Sequence, residues 1–141
     1  MTKEVKISVC GVQYLDGEAQ EPVRTVAAGT YYKKKDRYYL LYDTTEAETG
    51  AVTKNRIRIS GDCVEMTRSG SARVHMSFRP GARRRAEYMT SAGMFLMDTV
   101  THAVRVTEME DRIEIRLEYA LESDGMQLAE NHLEIIACSL S

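Results

Sequence analysis

The sequence has few cysteines, and their spacing excludes a disulfide framework. Its 141 residues contain three cysteines, Cys10, Cys63 and Cys138, an odd number that includes no CxxC pair. Disulfide-stabilised secreted domains carry even sets of cysteines, and zinc knuckles need paired ones. We therefore expect free thiols and a reducing compartment.

Long apolar runs and a strong charge bias are also missing. No stretch approaches the roughly 18 apolar residues of a membrane-spanning helix, and residues 1–5 lack the apolar core of a signal peptide. The net charge of −2 gives no overall attraction to nucleic acid or to an anionic membrane. We expect a cytoplasmic protein with no membrane partner.

Recognisable catalytic and metal-binding motifs are absent as well. No serine lies in a GxSxG motif, and no glycine-rich loop precedes a helix. His75, His102 and His132 lack the HxH and HExxH spacings of metal ligands. We therefore expect no catalytic residues, no metal ion, no cofactor and a protein that is not an enzyme.

What the sequence does contain is apolar and polar residues in alternation, the pattern of half-buried β-strands. A first strand begins with Val5, Ile7 and Val9 and should meet a bulge at Gly11. The strands predicted after it are 23–32, 37–45, 52–60, 63–69, 73–78, 83–90, 94–106, 112–122 and 127–138. About ten short strands with regular turn signals predict an all-β sandwich or barrel.

Consecutive hairpins favour a meander, and closure would remove both sheet edges. We therefore predict a single antiparallel meander β-barrel of about 8–10 strands, forming one domain over residues 1–141. The tyrosines mark one of its hairpins: Tyr31-Tyr32 should end one strand and Tyr38-Tyr39 begin the next. Each tyrosine pair should direct one ring to each face of the sheet.

Some polar residues lie in phase with apolar ones and should point into the barrel. Arg68 follows Val64 and Met66 at steps of two, and Asn131 precedes Leu133 in the same way. The predicted cavity residues are Arg68, Tyr88, Asn131, Tyr39 and Thr101. In residues 94–106 the sequence does not decide which alternate residues face inward. One choice directs Asp98 and His102 into the barrel, and the other directs Thr99 and Thr101 inward. A bulge could switch the strand from one choice to the other.

These residues predict a polar cavity. A barrel of about eight or more strands can hold one small ligand, and an interior arginine with asparagine and tyrosine suits a carboxylate or phosphate group. The protein is thus interpreted as a non-enzymatic small-ligand-binding barrel. The other interpretation of Arg68 is a buried structural cation paired with Asp98 or a glutamate, in a structural or protein-interaction barrel whose centre is packed.

Basic residues support a further alternative, a nucleic-acid-binding module. They cluster in residues 33–37, 54–58 and 79–85, and tyrosines flank the first cluster. A basic face with aromatic residues is typical of single-stranded nucleic-acid binding. Against it, Glu118, Glu122, Glu130 and Glu134 predict an acidic face elsewhere, and solvated hairpin tips explain the basic clusters equally well.

A series of short motifs runs along the chain. They are Gly29-x-Tyr31-Tyr32-Lys33, Tyr38-Tyr39-Leu40-x-Tyr42, Arg68-Ser69-Gly70, Met76-x-Phe78, Tyr88-x-Thr90-x-x-Gly93, Thr101 and Asn131-x-Leu133-x-Ile135. Their order and spacing resemble the YwiB-like family of bacterial proteins. The resemblance implies a calycin-like (lipocalin-like) β-barrel from a firmicute-type bacterium, and it implies no activity. The chain departs from the family pattern at Ser91-Ala92, where the family tends to carry Pro-Tyr.

Overall fold

The computed structural model describes residues 3–140, which form β-strands joined by short turns. The strands are β1 (Glu4–Leu15), β2 (Glu18–Ala19), β3 (Val23–Lys34), β4 (Arg37–Thr45), β5 (Val52–Ser60), β6 (Cys63–Ser69), β7 (Arg73–Phe78), β8 (Arg83–Thr90), β9 (Gly93–Glu108), β10 (Arg112–Ser123) and β11 (Met126–Ser139). In this range there is no helix with the length and apolarity needed to cross a bilayer.

The strands close into a barrel. From β3 to β11 each strand pairs antiparallel with the next along the chain, β3 also pairs with β1, and β1 pairs with β11. Ten strands therefore form the closed wall, while the two-residue β2 extends only the end of β1. The predicted all-β meander barrel is confirmed.

The turn signals located most strand boundaries. The bounds of β4 to β8 are those predicted. β9 and β11 extend one or two residues beyond the predicted bounds at both ends, and β10 extends one residue further at its C-terminal end. The predicted bulge at Gly11 is wrong, because β1 keeps an unbroken register with β11 from the Val5–Ser139 pair to the Tyr14–Glu130 pair. Pairing with strands on both sides holds β1 extended through the glycine.

A bulge does occur in β9. Glu118 of β10 lies opposite Ala103, whereas Tyr119 lies opposite Thr101, so His102 is the extra residue. Thr99 and Thr101 are buried before the bulge, and Val104 packs against the core after it. The bulge thus switches the inward parity and leaves His102 exposed.

The apolar core fills the half of the barrel nearer the β3–β4 turn. Its fully buried side chains include Ile7, Leu40, Ile57, Ile59, Val64, Phe78, Ile113, Ile115, Leu117 and Ile135. Tyr31 and Tyr38 pack against this core with ring centroids 6.2 Å apart. The Tyr38 hydroxyl donates a hydrogen bond of 2.6 Å to Glu108 Oε2, which ties β4 to β9 at this end.

The tyrosine hairpin forms as predicted. Tyr32 of β3 lies opposite Tyr39 of β4, and their stacked rings lie on the outer face with centroids 4.7 Å apart. Tyr31 and Tyr38 take the inner face. Each tyrosine pair therefore contributes one ring to the core and one to the surface.

Gly29 allows β3 and β4 to approach closely. A Cβ built at Gly29 would collide with Ile7 Cδ1 and would lie 2.6 Å from the carbonyl oxygen of Leu41. Because one of these atoms belongs to the backbone of a paired strand, a side chain of any size displaces the sheet itself.

We expect Gly29→Ala to lower the free energy of unfolding by about 1–3 kcal/mol, since the added methyl overpacks this contact. Gly11→Ala is the matched control, because its methyl would meet only the flexible Leu133 Cδ1, at 3.4 Å. Urea melts of both variants check this expectation. Equal effects at the two glycines would contradict the close approach.

Candidate functional site

The inward-facing rows of the barrel change from apolar to polar toward one end. This end carries the turns that follow β4, β6, β8 and β10. Inward-facing positions toward this end include Tyr42 on β4, Asn55 on β5, Arg68 on β6, Val74 on β7, Tyr88 on β8, Tyr119 on β10 and Asn131 on β11. We call this the open end.

Five of these positions are direct neighbours in the sheet. Tyr42 pairs with Asn55, Asn55 with Arg68, and Arg68 with Val74, which in turn pairs with Tyr88. Side chains on one face of neighbouring strands lie about 5 Å apart at such pairs. The register therefore brings residues from five strands into one row across the opening.

Arg68 is the cation of this row. It follows the buried Val64 and Met66 on β6, but as the last inward residue of its strand it is exposed at the opening. It makes no ion pair within residues 3–140. The interpretation as a buried cation paired with Asp98 is wrong, because Asp98 lies 3.5 Å from Arg83 Nη1 and 3.4 Å from Arg85 Nε on the outer face.

Three tyrosines surround the Arg68 charge. The pKa of Tyr119 is raised to about 12, mainly by burial and to a smaller extent by Tyr88, while the Arg68 guanidinium acts in the opposite direction. Burial also raises the pKa values of Tyr42 and Tyr88, again with Arg68 lowering them. The three phenols are therefore protonated donors at neutral pH, all within reach of one positive charge.

The tyrosine hydroxyls have few partners within the protein. The Tyr88 hydroxyl lies 3.6 Å from the Met76 sulfur, a weak acceptor. The hydroxyls of Tyr42 and Tyr119 make no hydrogen bond to any other side chain or backbone group in the described range. Their donor capacity is left for water or a ligand.

Two buried polar atoms beside Tyr119 also lack partners. Asn131 lies opposite Tyr119 on β11, and Thr101 lies opposite it on β9. Asn131 Nδ2 and Thr101 Oγ1 are buried without a hydrogen bond to another described residue. Asn55 differs, since its Nδ2 donates to Tyr42 O, Thr44 Oγ1 and Thr53 O at 3.2–3.3 Å.

Two clefts at the open end contain these residues. One of about 420 Å³ is lined by Tyr42, Asn55 and Arg68 together with several threonines. A second of about 290 Å³ is lined by Gln13, Tyr119, Asn131 and neighbouring residues. Val9 and Thr25 line the first, and the next inward positions of the same strands, Gly11 and Val23, line the second. The clefts are thus adjoining parts of one opening.

The structure gathers most of the predicted cavity residues at this end. Arg68, Tyr88, Asn131 and Thr101 all face inward there. Tyr39 does not belong to them, because it alternates with the buried Leu40 and its ring stacks on Tyr32 outside the barrel. The prediction of Tyr39 as a cavity residue is therefore wrong.

Sequence reasoning missed Tyr42, Asn55 and Tyr119 as members of the site. A usable signal was present, since Asn55 is in phase with Ile57 and Ile59, and Tyr42 with Leu40. Within residues 3–140 no group of three or more histidine, cysteine, aspartate or glutamate side chains is placed to hold a metal ion. The chemical groups gathered here are a guanidinium, phenols, carboxamides and hydroxyls, which together bind and orient acceptor-rich groups.

Fold and site together define a closed, ten-stranded antiparallel β-barrel with a packed end and a polar open end. The family model described as "Domain of unknown function (DUF1934)" matches residues 7–135, and the chain belongs to this family. The resemblance to the YwiB-like family is thereby confirmed.

One sequence comparison supports this membership, and one structural comparison concerns the fold. The uncharacterized β-barrel protein YwiB of Bacillus subtilis (strain 168) is 30% identical over 104 residues, which cover 74% of this chain and 72% of that protein. The crystal structure of the ywiB protein from Bacillus subtilis matches with a TM-score of 0.86 at 23% identity, over 99% of this chain and 93% of that one. The structural match shows a common fold.

The two asparagines of the open end should respond differently to replacement by leucine. Asn131→Leu removes a buried donor without a partner, so the free energy of unfolding should stay unchanged or rise by up to about 1 kcal/mol. Asn55→Leu removes three contacts and should lower it by more than about 1 kcal/mol. Urea melts of both variants measure the difference. A strongly destabilised Asn131→Leu would mean that Asn131 has protein partners.

The raised Tyr119 pKa predicts a loss of stability in alkali. Because the folded-state pKa is about 12 against an ordinary 10.0, the stability linked to this proton is complete below pH 10 and is lost as the pH rises toward 12. The stability of the protein relative to Tyr119→Phe should fall by about 2 kcal/mol by roughly pH 11.5. A pH-independent difference between the two proteins would contradict the buried phenol.

Proposed function

We propose that this protein is a non-enzymatic, calycin-like barrel that binds a small ligand carrying a carboxylate or phosphate group at its open end. The observation that carries this proposal is the Arg68 guanidinium, which faces the opening without a carboxylate partner in the described chain. A guanidinium presents a planar set of donors that matches both anions in a two-pronged contact.

The composition of the opening supports an acceptor-rich ligand. Tyr42, Tyr88 and Tyr119 offer hydroxyl donors, and Asn131 Nδ2 is a buried donor without a partner. The carboxylate of Glu46 lines the same cleft, but it already accepts hydrogen bonds of 3.0 Å from Thr49 and Ser71. Donors that converge without matching acceptors favour an anion over a cation.

The dimensions of the opening favour a small molecule. Its clefts of about 420 and 290 Å³ fall in or near the range of small-molecule sites, roughly 300–1,000 Å³. A barrel that serves only as a packed scaffold would have no use for unpartnered buried groups such as Asn131 Nδ2 and Thr101 Oγ1, since buried polar groups are normally satisfied.

Thermal melts with a panel of small carboxylates and phosphate esters test this function. A ligand at about 100 times its Kd should stabilise the protein by roughly 2.7 kcal/mol. Arg68→Met should abolish that shift, and it should change the stability of the free protein by less than about 0.5 kcal/mol because no ion pair is lost.

Arg84→Met is the matched control. Arg84 is also exposed, and within residues 3–140 its guanidinium hydrogen-bonds only the backbone oxygen of Arg83, at 3.3 Å. This variant should keep the ligand-induced shift. An equal loss of the shift in both variants would show nonspecific charge attraction, and the absence of any shift across the panel in the unmodified protein would remove the proposed function.

A further inference from the structure

The outer wall of β3, β4 and β5 carries an aromatic pair that the core does not use. Tyr32 and Tyr39 stack with ring centroids 4.7 Å apart and planes 10° apart, and Tyr32 remains 39% exposed. Both rings point away from the barrel interior. An exposed, ordered pair of phenol rings provides a platform on which planar groups can stack.

Cations surround this platform. Lys34 lies opposite Arg37 in the outward row next to the tyrosine pair. Along β5 the outward positions are Lys54, Arg56 and Arg58, and Arg58 lies opposite Tyr39. Successive outward positions on a strand are roughly 6.5–7 Å apart. The strand therefore presents a regular line of positive charge beside the rings.

Little negative charge neutralises this wall. Arg58 pairs with Glu65 of β6 at 2.6 Å, but Lys34, Arg37, Lys54 and Arg56 form no ion pair within residues 3–140. The only carboxylate among the outward positions of β3–β5 is Asp43, opposite Lys54.

The other basic cluster, residues 79–85, is partly neutralised by its neighbours. Arg83 lies 2.8 Å from Glu122 and 3.5 Å from Asp98, which also pairs with Arg85. On the opposite wall, Arg116 pairs with Glu134 at 3.0 Å. Free cations and an exposed aromatic stack thus coincide on β3–β5.

From this arrangement we propose a second binding site, on the outer wall of β3–β5, that takes single-stranded nucleic acid. Lys34, Arg37, Lys54 and Arg56 contact phosphates, and bases stack on the Tyr32–Tyr39 pair. A positively charged track with aromatic stacking is how sequence-tolerant single-strand binding works. An acidic peptide or an anionic lipid surface would use the cations but would gain nothing specific from the ring stack.

The site is separate from the open end. Tyr39 and Arg58 face outward on strands whose alternate residues, Leu40 and Ile57, are buried inside the barrel. Loss of ligand binding through Arg68→Met should therefore leave nucleic-acid affinity unchanged, so the two proposals can fail independently.

The test is fluorescence anisotropy with a labelled oligouridine of about twelve nucleotides, near 50 mM salt and again near 200 mM. The unmodified protein should bind at the lower salt and weaken at the higher. Lys54→Ser combined with Arg56→Ser should lower the affinity at least about tenfold and reduce the salt slope by roughly 1.4, as expected for two lost phosphate contacts.

The tyrosine variants separate stacking from charge. Tyr32→Ala with Tyr39→Ala should weaken oligouridine binding at least about tenfold, whereas binding of an abasic oligonucleotide of the same length should not change. Tyr32→Phe with Tyr39→Phe keeps the aromatic faces and should retain the affinity. Retained affinity in this conservative double variant would also show that changing both tyrosines does not by itself abolish binding through misfolding.

Arg79→Ser with Arg84→Ser is the charge-matched control, since it removes two exposed arginines that lie outside β3–β5. It should cost less than about threefold in affinity. The proposal is overturned if the unmodified protein fails to bind near 50 mM salt, or if this control loses as much affinity as Lys54→Ser with Arg56→Ser. It is equally overturned if the tyrosine-to-alanine variant binds oligouridine with unchanged affinity, or if anionic vesicles bind the protein while oligouridine does not.

Discussion

The ladder between β1 and β11 is the interaction on which the rest of this structure depends. It runs without a register shift from Val5–Ser139 to Tyr14–Glu130 and converts an open meander into a closed wall. Closure removes two unpaired edges. It also directs alternate side chains of every strand into one barrel interior. Arg68 on β6 and Asn131 on β11, distant along the sheet, can face the same opening only because the sheet closes.

Inside this wall, polarity changes along the barrel axis. The end near the β3–β4 turn is filled by aliphatic side chains and sealed by Tyr38, which is bonded to Glu108. Toward the other end the inward positions include Tyr42, Asn55, Arg68, Tyr88, Tyr119 and Asn131. One half of the interior therefore stabilises the fold through burial, while the other half carries groups whose hydrogen-bonding capacity the protein leaves unused.

Most of the fold could be predicted from the sequence because alternation and turn residues are local signals. The Gly61-Asp62 turn and the alternation in β5 and β6 located both strands to the residue. The inward direction of Arg68 also followed from parity. The exposure of Arg68 could not be predicted, because it depends on how far along the barrel axis the residue lies. The prediction of Tyr39 as a cavity residue was wrong because Tyr39 alternates with the buried Leu40 and therefore faces outward. The position of the β9 bulge at His102 could not be predicted, because both parities of that strand looked acceptable in the sequence.

The central claim is that Arg68 is an unpaired cation that faces the open end and anchors an anion. The most direct measurement is an NMR titration of the arginine Nε–H resonances with inorganic phosphate, assigned by comparison with Arg68→Met. The account predicts a saturable shift of the Arg68 resonance, with only small, linear shifts for other exposed arginines such as Arg84. An Arg68 resonance that responds no more than that of Arg84 would contradict the account.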